Sequence, residues 1–392
     1  MNTTTKTIFI SIVSCLLLTA TNLDTVFAEQ DTKPVKQLRR LYEADKGFRN
    51  TIQLAFENLH SQPSKSPNPW EGKDIDDLCA FFNEWYYFLP NTRNGLEYIK
   101  KFTWFYYKNE YGLKFVKEEP GLSWTKEFVV ERGRYMDSKA STSIISEWEE
   151  SPGTHMDEFI IPPGGFKSFN EFFTRNIKPG ARPIAAVTDD SVVVAPADCL
   201  INVIDSRLTV DTKIPVKGRM KLNVNELLNN SEYADLFVGG TAVSCILLPS
   251  TYHHYHAPVS GMVMQSEENV HDLYYGIEDF PEFYHDGNIG HNADFSIFEQ
   301  FHHGYYVIKT EKYGHVAMIP VGLNTISSVV FPKKFKEVKP QKPVAVHKGD
   351  DLGFFAYGGS LVILLFEKDR FPALKIPQGQ RIGILNEKPS DE

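Results

Sequence analysis

Three short stretches of the sequence carry side chains that could act as a nucleophile, a base and an orienting acid. Asp198 lies in APADCLI, His253, His254 and His256 lie in PSTYHHYHAPVSG, and Ser360 follows two glycines in YGGSLVILLFE. An aspartate can hold an imidazole in one tautomer, and an imidazole so held can take the proton of a serine hydroxyl. Asp198, His256 and Ser360 could therefore form a triad in which the serine oxygen attacks a carbonyl, the nearest being that of Gly359.

The same residue types also have simpler interpretations. Asp198 could be an acid of a turn or an edge strand, and the Gly-Gly-Ser at 358–360 could be a tight bend before a buried strand. The histidines could form a polar face or a metal site, because His254 and His256 share one face of a strand and the pair at 302–303 could add ligands. No carboxylate stands at recognisable metal-ligand spacing beside them, so we expect no metal.

The apolar pattern predicts the elements that must position these side chains. Residues 74–89 and 94–116 carry apolar residues every three or four positions, which predicts two amphipathic helices whose aromatic faces pack in a core. The second half contains β-branched runs bounded by Gly, Pro or Asn, which predict strands. These runs are 188–203, 242–248, 305–309, 315–321 and 360–366, with a helix at 223–228. We therefore expect an α+β fold, with a helical N-terminal region followed by a predominantly β domain of barrel-like or sandwich-like form.

Composition narrows the classes of function. The chain has 392 residues, a formal net charge of −9 and 42% apolar residues. A negative charge of this size argues against a nucleic-acid partner. The cysteines beyond the first 30 residues number three, at 79, 199 and 245, and their odd count and spacing predict neither a disulfide framework nor a zinc site.

The first 28 residues read as a signal peptide. Lys6 supplies a positive end, residues 8–18 are apolar but too short to span a bilayer, and 26–28 offer a small-residue cleavage site. A lipoprotein cleavage site ending at Cys15 is the rival interpretation. Either way, we expect an exported protein, secreted, periplasmic or attached to a membrane.

Four stretches in the second half resemble, in order and spacing, the motifs of the phosphatidylserine decarboxylase family. They are FNEFFTRNIKPGARPI at 169–184, APAD at 195–198, YHHYHAPVSG at 252–261 and HKGDDLGFFAYGGSLVILLFE at 347–367. Four ordered motifs are far more specific than any single one. Two positions depart from the family pattern, since Cys199 stands where the family has Gly and Leu361 where it has Thr. The aromatic N-terminal half resembles the extension of a divergent branch that includes fungal L-tryptophan decarboxylases.

The resemblance implies a self-cleaving, pyruvoyl-dependent carboxy-lyase. In such an enzyme His256, oriented by Asp198, would remove the proton of Ser360, whose oxygen would attack the carbonyl of Gly359. Cleavage between residues 359 and 360 would turn Ser360 into a covalent pyruvoyl cofactor, and the two chains would stay associated. His253 would return a proton to the substrate carbon. The expected reaction converts phosphatidylserine into phosphatidylethanolamine and carbon dioxide, with contact at a membrane surface.

The resemblance also sets the expected domains and the alternatives. We expect a helical region at 29–165 and the catalytic domain at 166–392. Within the same class, the substrate could instead be a free L-amino acid, an aromatic one in particular. In another class, the second half could be a secreted, non-catalytic β-domain that serves as a binding module. A degenerate family member that neither cleaves nor decarboxylates is a further alternative, because Leu361 follows the serine directly.

Overall fold

A computed structural model of the chain describes residues 31–61, 67–91, 95–205, 223–277, 300–323, 329–371 and 378–379. The predicted signal peptide, residues 1–28, lies outside these ranges. Among the helices of the described residues, none has the length and apolar character needed to cross a bilayer.

Helices dominate the first half of the chain. Within the described ranges they are α1 Lys33–Ala44, α2 Lys46–Glu57, α3 Ile75–Tyr87, α4 Glu97–Tyr106, α5 Glu110–Lys117, α6 Gly121–Met136, α7 Ile145–Glu149, α8 Phe169–Phe173 and α9 Val224–Leu227. The aromatic faces of α2 to α6 meet in one core, where the ring of Phe82 lies 5.8 Å from that of Trp85 and 5.1 Å from that of Phe102. The prediction that these faces pack in a core is confirmed. The aromatic residues of α7 and α8 belong to a separate cluster.

Helix boundaries follow the capping side chains. The Asp74 side chain accepts hydrogen bonds from the N–H groups of Asp76 and Asp77, which begins α3 where the sequence predicts it. The single helix predicted over 94–116 is wrong, because the structure has two helices there. Lys108 takes a left-handed φ of 51°, and the Asn109 side chain then caps a new helix.

Strands make up most of the second half. They are β1 Leu200–Asp205, β2 Thr241–Leu247, β3 His254–His256, β4 Gly261–Val270, β5 His303–Lys309, β6 His315–Leu323, β7 Val329–Val330, β8 Glu337–Val338, β9 Val344–Val346, β10 Asp351–Phe355 and β11 Gly359–Phe366. The larger antiparallel sheet has the order β1-β2-β11-β6-β5-β4-β8, with β9 also on β4, and the smaller has the order β3-β10-β7. The predicted α+β fold is confirmed. In the part of the chain that the structure describes, the larger sheet stays open between β1 and β8 and closes no barrel.

Strand β11 is an interior strand of the larger sheet, hydrogen-bonded to β2 on one side and to β6 on the other. Leu361 and Ile363 belong to the core shared with the N-terminal helices. Val362 and Leu364 belong to the core that contains Tyr255 of the smaller sheet. This alternation explains why the sequence shows an unbroken apolar run, since both faces of the strand are buried.

The strand predicted over 188–203 exists only from Leu200 onward. Turns occupy the beginning of the stretch, where the N–H of Val192 donates to the carbonyl of Asp189. The following backbone runs along the histidine segment instead of joining a sheet. There the N–H of Val194 donates to Pro258 O, and Pro196 O accepts from the N–H of His256 at 2.7 Å.

Buried histidines are expected to make the fold sensitive to acid. Burial lowers the pKa of His303 from 6.5 to about 4. Between these two values the unfolded chain binds a proton that the folded chain does not, so the contribution of His303 is complete above pH 6.5 and is lost as the pH falls. In a Ser360→Ala background, His303→Gln should reduce the dependence of the unfolding free energy on pH by about 1.4 kcal/mol per pH unit in this window. Urea unfolding from pH 4.5 to 7.5 measures it, and equal slopes in both proteins would contradict the assignment.

Candidate active site

The hydroxyl of Ser360 is buried at the start of β11. The residue is 2% exposed, and its backbone pairs with Leu247 of β2 and with Gly322 of β6. Among the described residues its Oγ has no hydrogen-bond partner. An unpaired buried hydroxyl costs about 1–3 kcal/mol, so its presence next to Gly359 calls for a reason other than stability.

His253 reaches the same neighbourhood through Phe173 of α8. The two rings stack with their centroids 3.8 Å apart, and the ring of Tyr357 lies 5.1 Å from the ring of Phe173. The carbonyl of His253 accepts from the N–H of Phe355 at 2.9 Å. These contacts bring His253 and the segment before Ser360 onto one aromatic residue.

The His253 ring is neutral at ordinary pH. Burial, with a smaller contribution from the positive charge of Arg175, lowers its pKa from 6.5 to about 3. A weak contact with the backbone of Thr251 opposes this shift but falls short of hydrogen-bond geometry, and within the described part of the chain both ring nitrogens lack partners. A neutral imidazole with both nitrogens unbonded can accept a proton from a reacting group and pass it on.

The contacts of His256 fix its tautomer. Its Nδ1 lies 2.9 Å from the carbonyl oxygen of Gly349, and its Nε2 lies 3.2 Å from the hydroxyl of Tyr252. A carbonyl can only accept, so Nδ1 of the neutral ring carries the hydrogen, and Nε2 offers its lone pair to the Tyr252 hydroxyl. This is the form that a general base requires.

Asp198 is held beside the histidine segment but bonds to another partner. Arg182 donates to its carboxylate from Nε at 3.0 Å and from Nη2 at 2.8 Å, and the Nη1 of Arg182 pairs with Glu158 at 2.8 Å. The predicted orientation of His256 by Asp198 therefore differs from the geometry, in which the Gly349 carbonyl has that position. The role of Asp198 stays a prediction. Sequence reasoning missed Arg182 and Gly349, although both lie inside the motif stretches.

His254 connects three elements of the site. Its Nδ1 lies 3.1 Å from Asp351 Oδ2, and its Nε2 lies 3.1 Å from the carbonyl oxygen of Thr174. Partial burial alone would raise the pKa of Asp351, but the hydrogen bond from His254 lowers it below 3.8. His254 thus joins β3 to β10 and to the end of α8. In the described ranges, no cluster of three or more His, Cys, Asp or Glu side chains could hold a metal ion.

A groove runs along α8 beside these residues. Its two openings have volumes of 410 and 580 Å³. Both are lined by Glu171, Thr174, Val330 and Phe354. One opening includes His254, and the other reaches Ala356, four residues before Ser360. The groove therefore comes within four residues of Ser360 along the chain, and neither opening is lined by Ser360, His253 or His256.

Comparison of the sequence with known proteins identifies its family. A sequence model described as phosphatidylserine decarboxylase matches residues 169–384. The chain is 33% identical over 241 residues to phosphatidylserine decarboxylase proenzyme 2 of Oryza sativa subsp. japonica, a match that covers 61% of the chain and 36% of the rice protein. It is 32% identical over 238 residues to the phosphatidylserine decarboxylase proenzyme of Fusobacterium nucleatum, covering 61% of the chain and 72% of that relative. The proenzyme of Clostridium novyi is 30% identical over 243 residues, covering 61% of the chain and 74% of that relative.

These matches confirm the resemblance read from the motifs. The family model begins at residue 169, at the first residue of α8, and so leaves the N-terminal helices outside it. The likeness of that region to the extension of fungal L-tryptophan decarboxylases stays a prediction. On the extent of the match and the relatives that share it, the chain belongs to the phosphatidylserine decarboxylase family, a family of carboxy-lyases.

Proposed function

We propose that this chain is a proenzyme that cleaves itself between Gly359 and Ser360 and then decarboxylates phosphatidylserine. The products of the second reaction are phosphatidylethanolamine and carbon dioxide. The observation that carries the proposal is the buried, unbonded Oγ of Ser360, directly after Gly359, in a chain of this family. The relatives, which are named phosphatidylserine decarboxylase proenzymes, support the same conclusion.

The first reaction needs a base, a nucleophile and an adjacent carbonyl. His256 Nε2, once the Tyr252 hydroxyl moves away, takes the proton of Ser360 Oγ. The oxygen attacks the carbonyl carbon of Gly359, an ester C–O bond forms, the amide C–N bond breaks, and the proton passes to the freed nitrogen. Loss of the α-proton of Ser360 then expels a carboxylate at Gly359. Water replaces the nitrogen, which leaves as ammonia, and a pyruvoyl group remains at position 360.

The surroundings of position 360 fit such a group. The Oγ that the reaction consumes makes no hydrogen bond in the described structure, so its loss leaves no buried donor or acceptor without a partner. A pyruvoyl ketone supplies an electron sink for the electron pair left by a departing carboxylate. His253 is proposed to deliver a proton to the substrate carbon. Because its pKa is about 3, the ring is neutral, so one nitrogen would give up its N–H proton to the carbon while the other takes a proton from water.

A lipid substrate is supported by the edge of the groove. Ile160 and Ile161 are 46% and 53% exposed, and Ile160 lines one opening. Exposed aliphatic side chains beside a groove suit contact with the apolar part of a bilayer. The predicted export would place the enzyme where lipids of an outer leaflet are available.

The substrate experiment compares two kinds of amino compound. Purified protein, whose cleavage is checked by electrophoresis, is incubated with phosphatidylserine vesicles, with free serine or with free tryptophan, and released carbon dioxide is measured. Release from the vesicles alone supports the lipid proposal. Release from free tryptophan alone would replace it by an amino-acid decarboxylase. No release from any of the three, by a chain that is not cleaved, would favour the binding-module or degenerate alternative.

A further inference from the structure

Tyr357 lies two residues before Gly359 and is held from the N-terminal side of the molecule. Its hydroxyl donates to the carbonyl oxygen of Gly95 at 3.3 Å, and its backbone N–H donates to Asn170 Oδ1 at 3.2 Å. Its ring packs edge to face against Phe169 and Phe173, with centroids 5.3 and 5.1 Å away. Tyr357 is therefore held at its backbone, at its ring and at its hydroxyl.

A buried arginine completes the environment of Tyr357. Arg132 of α6 is 1% exposed, and its guanidinium carbon lies 5.6 Å from the centroid of the Tyr357 ring. Nε donates to Trp85 O at 2.8 Å and Nη2 donates to Phe88 O at 2.9 Å. Nη1 is buried and, within the described residues, has no hydrogen-bond partner. Burying a guanidinium on carbonyl groups and an aromatic face is costly, which indicates a function beyond packing.

The predicted scissile bond joins the first two residues of β11, two residues after this fixed tyrosine. Gly359 begins β11 opposite Leu323 of β6, and Ser360 pairs with both β2 and β6. Gly358 alone therefore lies between Tyr357 and the strand. Glycines restrict the backbone least of all residues. Gly359 follows another glycine at the very start of the strand, so its carbonyl could take many orientations unless the chain were also held on the Tyr357 side. Attack on a carbonyl requires the two reacting atoms to be close and aligned.

We propose that the N-terminal helical region positions the scissile bond for self-cleavage through Tyr357. Arg132 and the Gly95 carbonyl hold the tyrosine, and the tyrosine sets the direction in which the Gly359 carbonyl faces Ser360 Oγ. Arg132 and Tyr357 are positioning residues, because they act through the backbone. The inference rests on the proposed self-cleavage. Arg132 and Gly95 lie before residue 169, so these two residues are outside the part of the chain that the family model matches.

The test measures the first-order rate of self-cleavage in freshly produced precursor. Tyr357→Leu should slow cleavage by about 100-fold, since a misplacement of about 1 Å can have that effect. Tyr357→Phe keeps the ring packing and loses only the hydrogen bond to the Gly95 carbonyl, so it should slow cleavage by about 2–10-fold. Arg132→Lys, which cannot make all the guanidinium contacts, should lie between Tyr357→Phe and Tyr357→Leu. Tyr106→Leu is the matched control, because Tyr106 is a fully buried tyrosine of α4 whose hydroxyl contacts Thr103.

Two further readouts separate positioning from general destabilisation. Unfolding midpoints are compared in a Ser360→Ala background, where no variant can cleave. Hydroxylamine at neutral pH cleaves an ester far faster than an amide. It should release no fragment beginning at residue 360 from the Tyr357→Leu precursor, because the attack itself is impaired. Equal cleavage rates for Tyr357→Leu and Tyr106→Leu, with wild type cleaved, would overturn this inference alone, as would fragment release by hydroxylamine. An uncleaved wild-type chain would overturn the proposed function with it.

Discussion

Replacing Ser360 by alanine is expected to leave the purified chain in one piece and without decarboxylase activity. Alanine lacks the only atom that can attack the Gly359 carbonyl from this position, and it also cannot become a pyruvoyl group. The loss should therefore be complete in both reactions. Because the Oγ makes no hydrogen bond within the described structure, its removal should not destabilise the fold. Gel electrophoresis and carbon dioxide release measure the two effects.

Ser244 offers a matched control for this variant. It is a 5% exposed serine of β2, its Oγ also lacks a hydrogen-bond partner among the described residues, and it pairs with Ile363 of β11. Ser244→Ala removes the same atoms from the adjacent strand and should leave cleavage within about 3-fold of wild type, as a substitution without a catalytic role does. Cleavage of Ser360→Ala at residue 359, or failure of Ser244→Ala to cleave, would contradict the assignment of the nucleophile.

Replacing His256 by asparagine is expected to slow self-cleavage by about 10²–10⁴-fold, the usual contribution of a positioned general base. The asparagine amide can still donate toward the Gly349 carbonyl, but it has no basic nitrogen to accept the proton of Ser360. The effect should therefore be on the cleavage rate more than on folding. The rate is followed on freshly produced precursor by electrophoresis.

Two neighbouring variants show whether the effect belongs to His256. His254 lies in the same strand as His256, β3. His254→Asn breaks its contact with Asp351 of β10 and should change the cleavage rate by less than about 10-fold. Asp198→Asn should cost less than His256→Asn, because the Gly349 carbonyl and not Asp198 holds the tautomer of His256. A loss in Asp198→Asn equal to that in His256→Asn would show that the carboxylate orients the base after all.

The fold could be predicted where local pattern and burial agree. The apolar run at 360–366 predicts β11 because both faces of this strand are buried, one by the helices and one by the smaller sheet. Asp74 predicts the start of α3 because a capping side chain acts within three residues. In contrast, Asn109 begins a second helix while also donating to Ala55 O, 54 residues away, and no local pattern reveals such a contact.

The candidate site was predicted as a set of residue types but not as a set of contacts. The catalytic roles of Ser360, His253 and His256, read from their residue types, stay predictions. The group that orients His256 is a backbone carbonyl 93 residues away, which no side-chain pattern marks. Asp198 and Arg182 are 16 residues apart, and their pairing depends on the path of the irregular chain between them. The strand predicted over that path does not form before Leu200, so no strand pairing could indicate the contact between Asp198 and Arg182.

The most direct test is the intact mass of the purified wild-type protein. We predict two chains separated between residues 359 and 360, the larger ending in an ordinary carboxylate. The smaller chain should be lighter by one ammonia than a peptide that begins with serine, because a pyruvoyl group has replaced that residue. A single continuous chain that still contains Ser360 would contradict the proposed self-cleavage and the function that depends on it.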